Sequence, residues 1–183
     1  MAFDGAFAVD LGGEQLFFTG TGPNPGGLLG QVWVAADHSD GPTRGNLYAL
    51  CSVDPPGSDP LDVHFVRSTD RGETWSSPQR VNDDPSSSNA WQWFGTMSTS
   101  PSGRIDAIWL DTRDNPGTYL SSLYYSYSLD GGASFTDMPL EVSKTRDDDV
   151  RQLFDHLSQS RTRTGFDDAL LERLAAYREL LPE

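Results

Sequence analysis

Basic residues are scarce in this chain. Thirteen Lys and Arg stand against 27 Asp and Glu among 183 residues, a formal net charge of −14. An acidic surface of this kind repels phosphate backbones, so no nucleic-acid partner is expected. Cysteine is nearly absent. The single Cys51 excludes an intrachain disulfide, and its apolar surroundings mark it as a small buried hydrophobe. His38, His64 and His156 are too scattered for metal-ligand spacing, and no Asp-x-Asp-x-Asp-Gly loop is present. No metal or cofactor is therefore expected. No apolar run approaches the roughly 18 residues of a membrane span. The opening Met1-Ala2-Phe3-Asp4 carries neither the basic nor the apolar region of a signal peptide.

What the sequence does contain is a repeat. Ser68-Thr-Asp70-Arg-Gly72-Glu-Thr74-Trp75 and Ser128-Leu-Asp130-Gly-Gly132-Ala-Ser134-Phe135 both fit S-x-D-x-G-x-[ST]-aromatic. Their aspartates lie 130 − 70 = 60 positions apart. Each copy follows an alternating strand-like run, residues 63–67 in one and 123–127 in the other. Before those come two more matched runs, 45–50 and 103–109. A shared order over three elements is far harder to reach by chance than one turn motif.

Each repeat reads as four short strands, with β-branched and aromatic residues in the windows and Gly, Pro, Asn, Asp and Ser between them. The first unit, residues 29–82, uses the windows 29–37, 45–53, 62–69 and 75–82. The second, residues 92–143, uses 92–100, 103–111, 120–128 and 135–143. Residues 3–20, with Phe7, Val9, Leu16, Phe17 and Phe18, resemble the last hairpin of a preceding unit.

The chemistry of the eight-residue motif is that of a tight turn. Asp70 and Asp130 can accept bonds from backbone N–H groups further along. Gly72 and Gly132 tolerate a positive φ, and Thr74 and Ser134 add hydroxyls. Trp75 and Phe135 then start a strand with a large apolar group to wedge between sheets. The bland reading, a structural turn, is nearly the whole of it.

These segments resemble the Asp boxes, or BNR repeats, of sialidases and related propellers. Trp109-Leu110-Asp111-Thr112-Arg113 is similar to a segment of secreted bacterial members of that group. The resemblance covers residues 1–144. It implies an all-β, partial β-propeller: two four-stranded antiparallel blades and an N-terminal hairpin. It also implies an extracellular or periplasmic location and a glycan ligand. Asp boxes occur in propellers that hydrolyse nothing, so the resemblance speaks for fold more than for activity.

Antiparallel strands sort the loops onto two ends. The Asp-box turns share one end with Arg44. Residues 54–61, 82–91 and 111–119 share the other, where the resemblance places any ligand. The candidates there are Asp83, Asp84, Asn89, Trp91, Asp111, Arg113 and Asp114. Each has a plainer alternative: a solvated turn for 83–88, packing between blades for Trp91, and a loop-bracing ion pair with Asp111 and Asp114 for Arg113.

Sialidases clamp the sugar carboxylate with three arginines and use a Tyr–Glu nucleophile with an Asp acid/base, so the resemblance sets a test. Arg71 lies inside an Asp box, Arg44 and Arg104 fall at the Asp-box end, and Arg67 and Arg80 fall within strands. Only Arg113 is well placed, no arginine precedes Arg44, and no Tyr–Glu pair is assignable. The arginine triad is incomplete in this chain, and its catalytic residues are unknown.

Residues 145–183 change character. Val150, Leu153, Phe154 and Leu157, then Phe166, Leu170, Leu174, Tyr177 and Leu181, follow helical spacing on either side of a break at 158–165. They predict a C-terminal α-helical hairpin tail. Two blades cannot close a ring of 4–8, so the chain is expected to be part of a larger propeller or to self-associate through open blade edges or the tail. Three functions follow: a non-catalytic module of a glycan-acting protein, a hydrolase completed by further blades or copies, or an interaction scaffold with an oligomerising tail.

Overall fold

In the computed structural model the described residues are 6–16, 22–25, 27, 29–85 and 89–138. The region expected to form a helical hairpin, 145–183, lies outside them, as do Phe17, Phe18 and Ser86 to Ser88. The described residues are all-β and contain no helix. None therefore forms a helix long and apolar enough to cross a membrane.

Eight strands form two four-stranded antiparallel sheets in simple sequential order. The first sheet holds β1 (Trp33–Ala36), β2 (Leu47–Val53), β3 (Asp62–Ser68) and β4 (Gln79–Arg80). The second holds β5 (Gln92–Thr99), β6 (Ile105–Asp111), β7 (Ser122–Ser128) and β8 (Thr136–Met138). The central strands fill the windows read from the sequence, whereas β4 is only two residues long. Pro78 immediately precedes it and cannot donate to a ladder, which delays the start of pairing.

Alternation along the central strands sets the packing. Tyr48 and Leu50 on β2, with Val63 and Phe65 on β3, are buried in one cluster with Met97, Ile105, Ala107 and Trp109 of the second sheet. Each large apolar side chain so buried contributes roughly 1.5–3 kcal/mol. The sheets approach closely because Gly95 has no side chain: a Cβ there would press on Leu50, Ser52 and Val63. Its amide donates to Ser52 Oγ at 3.0 Å. Pairing of β5 with β6 shifts register between Trp93 and Thr96, and Phe94, at φ 60°, sits in that irregularity.

The two eight-residue turns are built alike. Ser68 Oγ donates to Asp70 at 2.7 Å and accepts from the Gly72 amide at 2.8 Å. Asp70 then accepts from the amide of Thr74 at 2.9 Å and from its hydroxyl. In the second turn Ser128 Oγ meets Asp130 at 2.8 Å and the Gly132 amide at 2.9 Å. Ser134 donates to Asp130 from its amide at 2.9 Å and its hydroxyl at 2.6 Å. Phe135 leaves the turn with its ring edge-on to Phe65, centroids 5.0 Å apart, while Trp75 is half-buried. Arg71, at φ 65°, holds the position that Gly131 fills at φ 68°.

The N-terminal hairpin expected over residues 3–20 is not formed by residues 6–16, which contain no strand. Asp10 accepts the amide of Gly12 at 2.8 Å, and this local turn breaks the extended run. The segment instead runs against the first sheet. Glu14 bridges Asp54, and the Leu11 carbonyl lies 2.7 Å from His64 Nδ1. Phe7 and Val9 remain exposed.

Candidate functional site

The β2–β3 loop, the connection between the sheets and the β6–β7 loop emerge at one end of the sheets, opposite the two eight-residue turns. Their polar side chains converge on Asp111, the last residue of β6, which is fully buried. Such a carboxylate must be compensated, and its partners are many. Trp109 Nε1 donates to it at 3.0 Å, Gln92 Nε2 at 3.1 Å and the Arg113 amide at 2.8 Å. Gln92 is positioned by pairing directly opposite Asp111 in the ladder. Its amide nitrogen also reaches Asp84 at 3.2 Å.

Arg113 ties the loops together. Nε donates to Asp111 at 2.8 Å, Nη1 pairs with Asp83, and Nη2 lies 2.8 Å from Asp111 and 3.4 Å from Asp84. Its guanidinium carbon stands 4.3 Å from the centre of the Tyr124 ring, a stacking arrangement that arginine favours. Burial opposes the charge, but the hydrogen bonds that the guanidinium donates to Asp111 and Asp83 outweigh it and raise its pKa. The same contact holds Asp83 below the ordinary carboxylate value. Every guanidinium nitrogen is thus on a carboxylate of the chain itself.

A second knot adjoins the first. Asn82 accepts the Val63 amide at 2.8 Å and donates to Asp62 at 2.6 Å and Asp84 at 2.7 Å. Arg80 Nη2 donates to the Asp84 carbonyl at 2.6 Å, and its Nη1 lies 3.5 Å from Asp62. Beside them Asp59 is buried with neither oxygen hydrogen-bonded. Burial first, then Asp62 and Asp84, push its carboxyl up to about 6, with Arg80 pulling the other way. Asp137 is also raised, by burial and by Asp83. Carboxylates outnumber guanidinium groups here. Among the described residues no group of three or more His, Cys, Asp or Glu side chains is arranged to hold a metal ion.

Of the residues singled out from the sequence, Asp83, Asp84, Asp111 and Arg113 come into direct contact. Asp114 does not pair with Arg113 and instead accepts the Tyr124 hydroxyl at 2.9 Å. Trp91 is half-buried, edge-on to Tyr119 at 6.4 Å, and its amide donates to Thr112 Oγ1 at 2.9 Å. Asn89 is exposed at φ 54°. Arg80, read from the sequence as confined to a strand, reaches the cluster because β4 ends there. Asp62, Asn82, Gln92 and Tyr124 were not singled out. Strand register was the signal for Gln92, since the first residue of β5 must face the last of β6.

No family model matches the chain, and no curated protein is similar to it by sequence. Among solved structures, a Hadza microbial sialidase superposes with a TM-score of 0.46 at 16% identity, over 59% of this chain and 25% of that one. An α-L-arabinofuranosidase from Fusarium graminearum, in complex with an iminosugar inhibitor, superposes with a TM-score of 0.40 at 17% identity, over 60% of this chain and 32% of that one. The chain therefore spans about a quarter to a third of the length of these proteins. Similarity at this level assigns it no activity.

Proposed function

We propose that the two sheets are consecutive blades of an Asp-box β-propeller of the sialidase-like type. In this reading the chain is a non-catalytic, glycan-binding or structural piece of an extracytoplasmic glycan-acting protein. The observation that carries the proposal is the repeated turn. Two stacked four-stranded sheets each join their third and fourth strands through the same Ser–Asp–Gly–Ser/Thr hydrogen-bond pattern. Loops of the opposite end then fall together, where Trp91, Asn89 and Asp114 offer partly exposed polar and aromatic groups to a sugar.

The state of Arg113 supports the non-catalytic part. Its three nitrogens are engaged by Asp83, Asp84 and Asp111, so gripping a substrate carboxylate would mean breaking a buried ion-pair network. In this reading Arg113 braces the loops and any glycan contact comes from their rim. Incubation with a fluorogenic sialoside tests the first half, and no release of fluorophore above the protein-free control is expected. A glycan microarray tests the second, with binding expected from the intact chain and lost on Trp91→Ala. Sialoside turnover would refute the non-catalytic assignment, and an array without signal would leave a structural piece only.

A further inference from the structure

Three aspartates in this chain directly precede a proline: Asp54–Pro55, Asp59–Pro60 and Asp84–Pro85. An Asp–Pro bond is unusually open to attack by its own side chain. The proline nitrogen carries no hydrogen, and its three carbon substituents make it more basic, and a better leaving group, than an ordinary amide nitrogen. The aspartyl oxygen reaches its own backbone carbonyl carbon through a five-membered ring, with the advantage of an intramolecular reaction. The neutral carboxyl is the reactive form, because it supplies both the attacking oxygen and the proton that the leaving nitrogen needs.

The fold treats the three sites differently. The Asp84 carboxylate is fixed by three donors: Asn82 at 2.7 Å, Gln92 at 3.2 Å and Arg113 at 3.4 Å. At Asp54 the backbone is paired with Glu14 in both directions, at 2.8 and 3.0 Å. Gly13 also covers the Asp54 carbonyl so closely that a Cβ there would come within 2.8 Å of its carbon. Asp59 has neither restraint. Its side chain is buried and no hydrogen bond holds either oxygen, so its carboxyl is free to turn onto its own carbonyl. The charged groups facing it are Asp62 on β3, Arg80 on β4, Asp84 in the connection and Asp111 on β6. Burial and the three carboxylates outweigh Arg80 and keep Asp59 neutral up to a pH of about 6. Pro56, Gly57 and Ser58, just before it, are exposed to water.

We propose that Asp59–Pro60 is a self-cleavage site, at which the folded chain cuts itself in the loop between β2 and β3. The Asp59 carboxyl oxygen bonds to the Asp59 carbonyl carbon while its proton passes to the Pro60 nitrogen. The C–N bond breaks, leaving a cyclic anhydride that water opens to a C-terminal aspartate. No other reactant is consumed. β2 and β3 pair from Leu47 with Ser68 to Val53 with Asp62, so residues 1–59 and 60–183 stay associated after the cut. The site is independent of any glycan contact at the loop end.

Mass spectrometry of the intact chain after incubation at pH 5, with and without urea, tests it. A carboxyl that titrates near 6 is about 90% neutral at pH 5 and one that titrates at 3.8 about 6%. Cutting at 59–60 is therefore expected to be about fifteenfold faster in the folded chain than in the unfolded one. Folding is expected to give no acceleration at 54–55 or 84–85. Hydroxylamine added during the reaction is expected to leave a hydroxamate on the fragment ending at Asp59. Asp59→Glu, which keeps a carboxyl but requires a larger ring, and Pro60→Ala, which removes the good leaving nitrogen, are both expected to stop the cut. An uncut folded chain, equal rates in urea, or acceleration by folding at either other bond would overturn the proposal. So would cutting that persists in both variants, or a fragment that takes up water alone in the presence of hydroxylamine, since each means hydrolysis without the anhydride.

Discussion

Asp59 offers the most direct test of the electrostatics at the loop end. It is 5% exposed and neither carboxylate oxygen has a hydrogen-bond partner. Burial and the charges of Asp62 and Asp84 lift its carboxyl from 3.8 to about 6. At about 1.36 kcal/mol per pH unit, that rise makes the ionised group cost the fold about 3 kcal/mol. An unfolded chain releases this proton near pH 3.8 and the folded chain near 6, so the folded state holds more protons in between. The stabilising contribution is full below pH 3.8, declines as pH rises, and is gone above about 6. Asp59→Asn removes the charge while keeping the size. Urea denaturation followed by tryptophan fluorescence is expected to show the variant about 3 kcal/mol more stable at pH 7.5 and nearly equal to the natural chain at pH 3.5. A gain of the same size at both pH values would refute the burial argument, and a loss at pH 7.5 would mean that the ionised carboxylate is held by a partner.

Three further outcomes are expected. Gly132→Ala places a Cβ against the Phe65 ring at a backbone φ of 79°, and a loss of about 3 kcal/mol in urea denaturation is expected; under 1 kcal/mol would show that the turn yields easily. Arg113→Lys keeps the charge but cannot engage Asp83, Asp84 and Asp111 together, so a loss of about 3 kcal/mol is expected despite the conserved charge; calorimetry showing no change in melting temperature would contradict the bracing role. Cys51 is fully buried and its thiol is pushed up to about 11 by that burial. Iodoacetamide at pH 8 is expected to leave it unmodified until denaturant is added, and rapid labelling of the folded chain would refute its burial.

The central strands were legible because their signal is local. Leu47–Val53, Asp62–Ser68, Ile105–Asp111 and Ser122–Ser128 each hold two or three β-branched or aromatic residues and lie between turn-rich stretches. Residues 6–16 misled because Phe7 and Val9 alternate with small residues like a strand, while Asp10 and Gly12 close a turn that periodicity does not weigh. At the loop end, strand direction sufficed to gather Asp83, Asp84, Asp111 and Arg113 in one region. It did not distinguish Asp111, which binds the arginine, from Asp114, which turns to Tyr124. That choice depends on side-chain direction at the strand end, where Asp111 points inward with Trp109. Arg80, expected within a strand, reaches the loop end for the same kind of reason, since its reach depends on how early β4 stops.

The bond from Arg67 to the Gly131 carbonyl spans 64 positions along the chain, and it joins the hairpin of one sheet to the body of the other. The closing bend of the later sheet is therefore moulded on the earlier one, with Phe65 as the floor under Gly132. The cluster between the sheets draws on both, with Tyr48, Leu50, Val63 and Phe65 from one and Met97, Ile105, Ala107 and Trp109 from the other, so much of its order depends on contacts distant in sequence rather than on local hairpins alone.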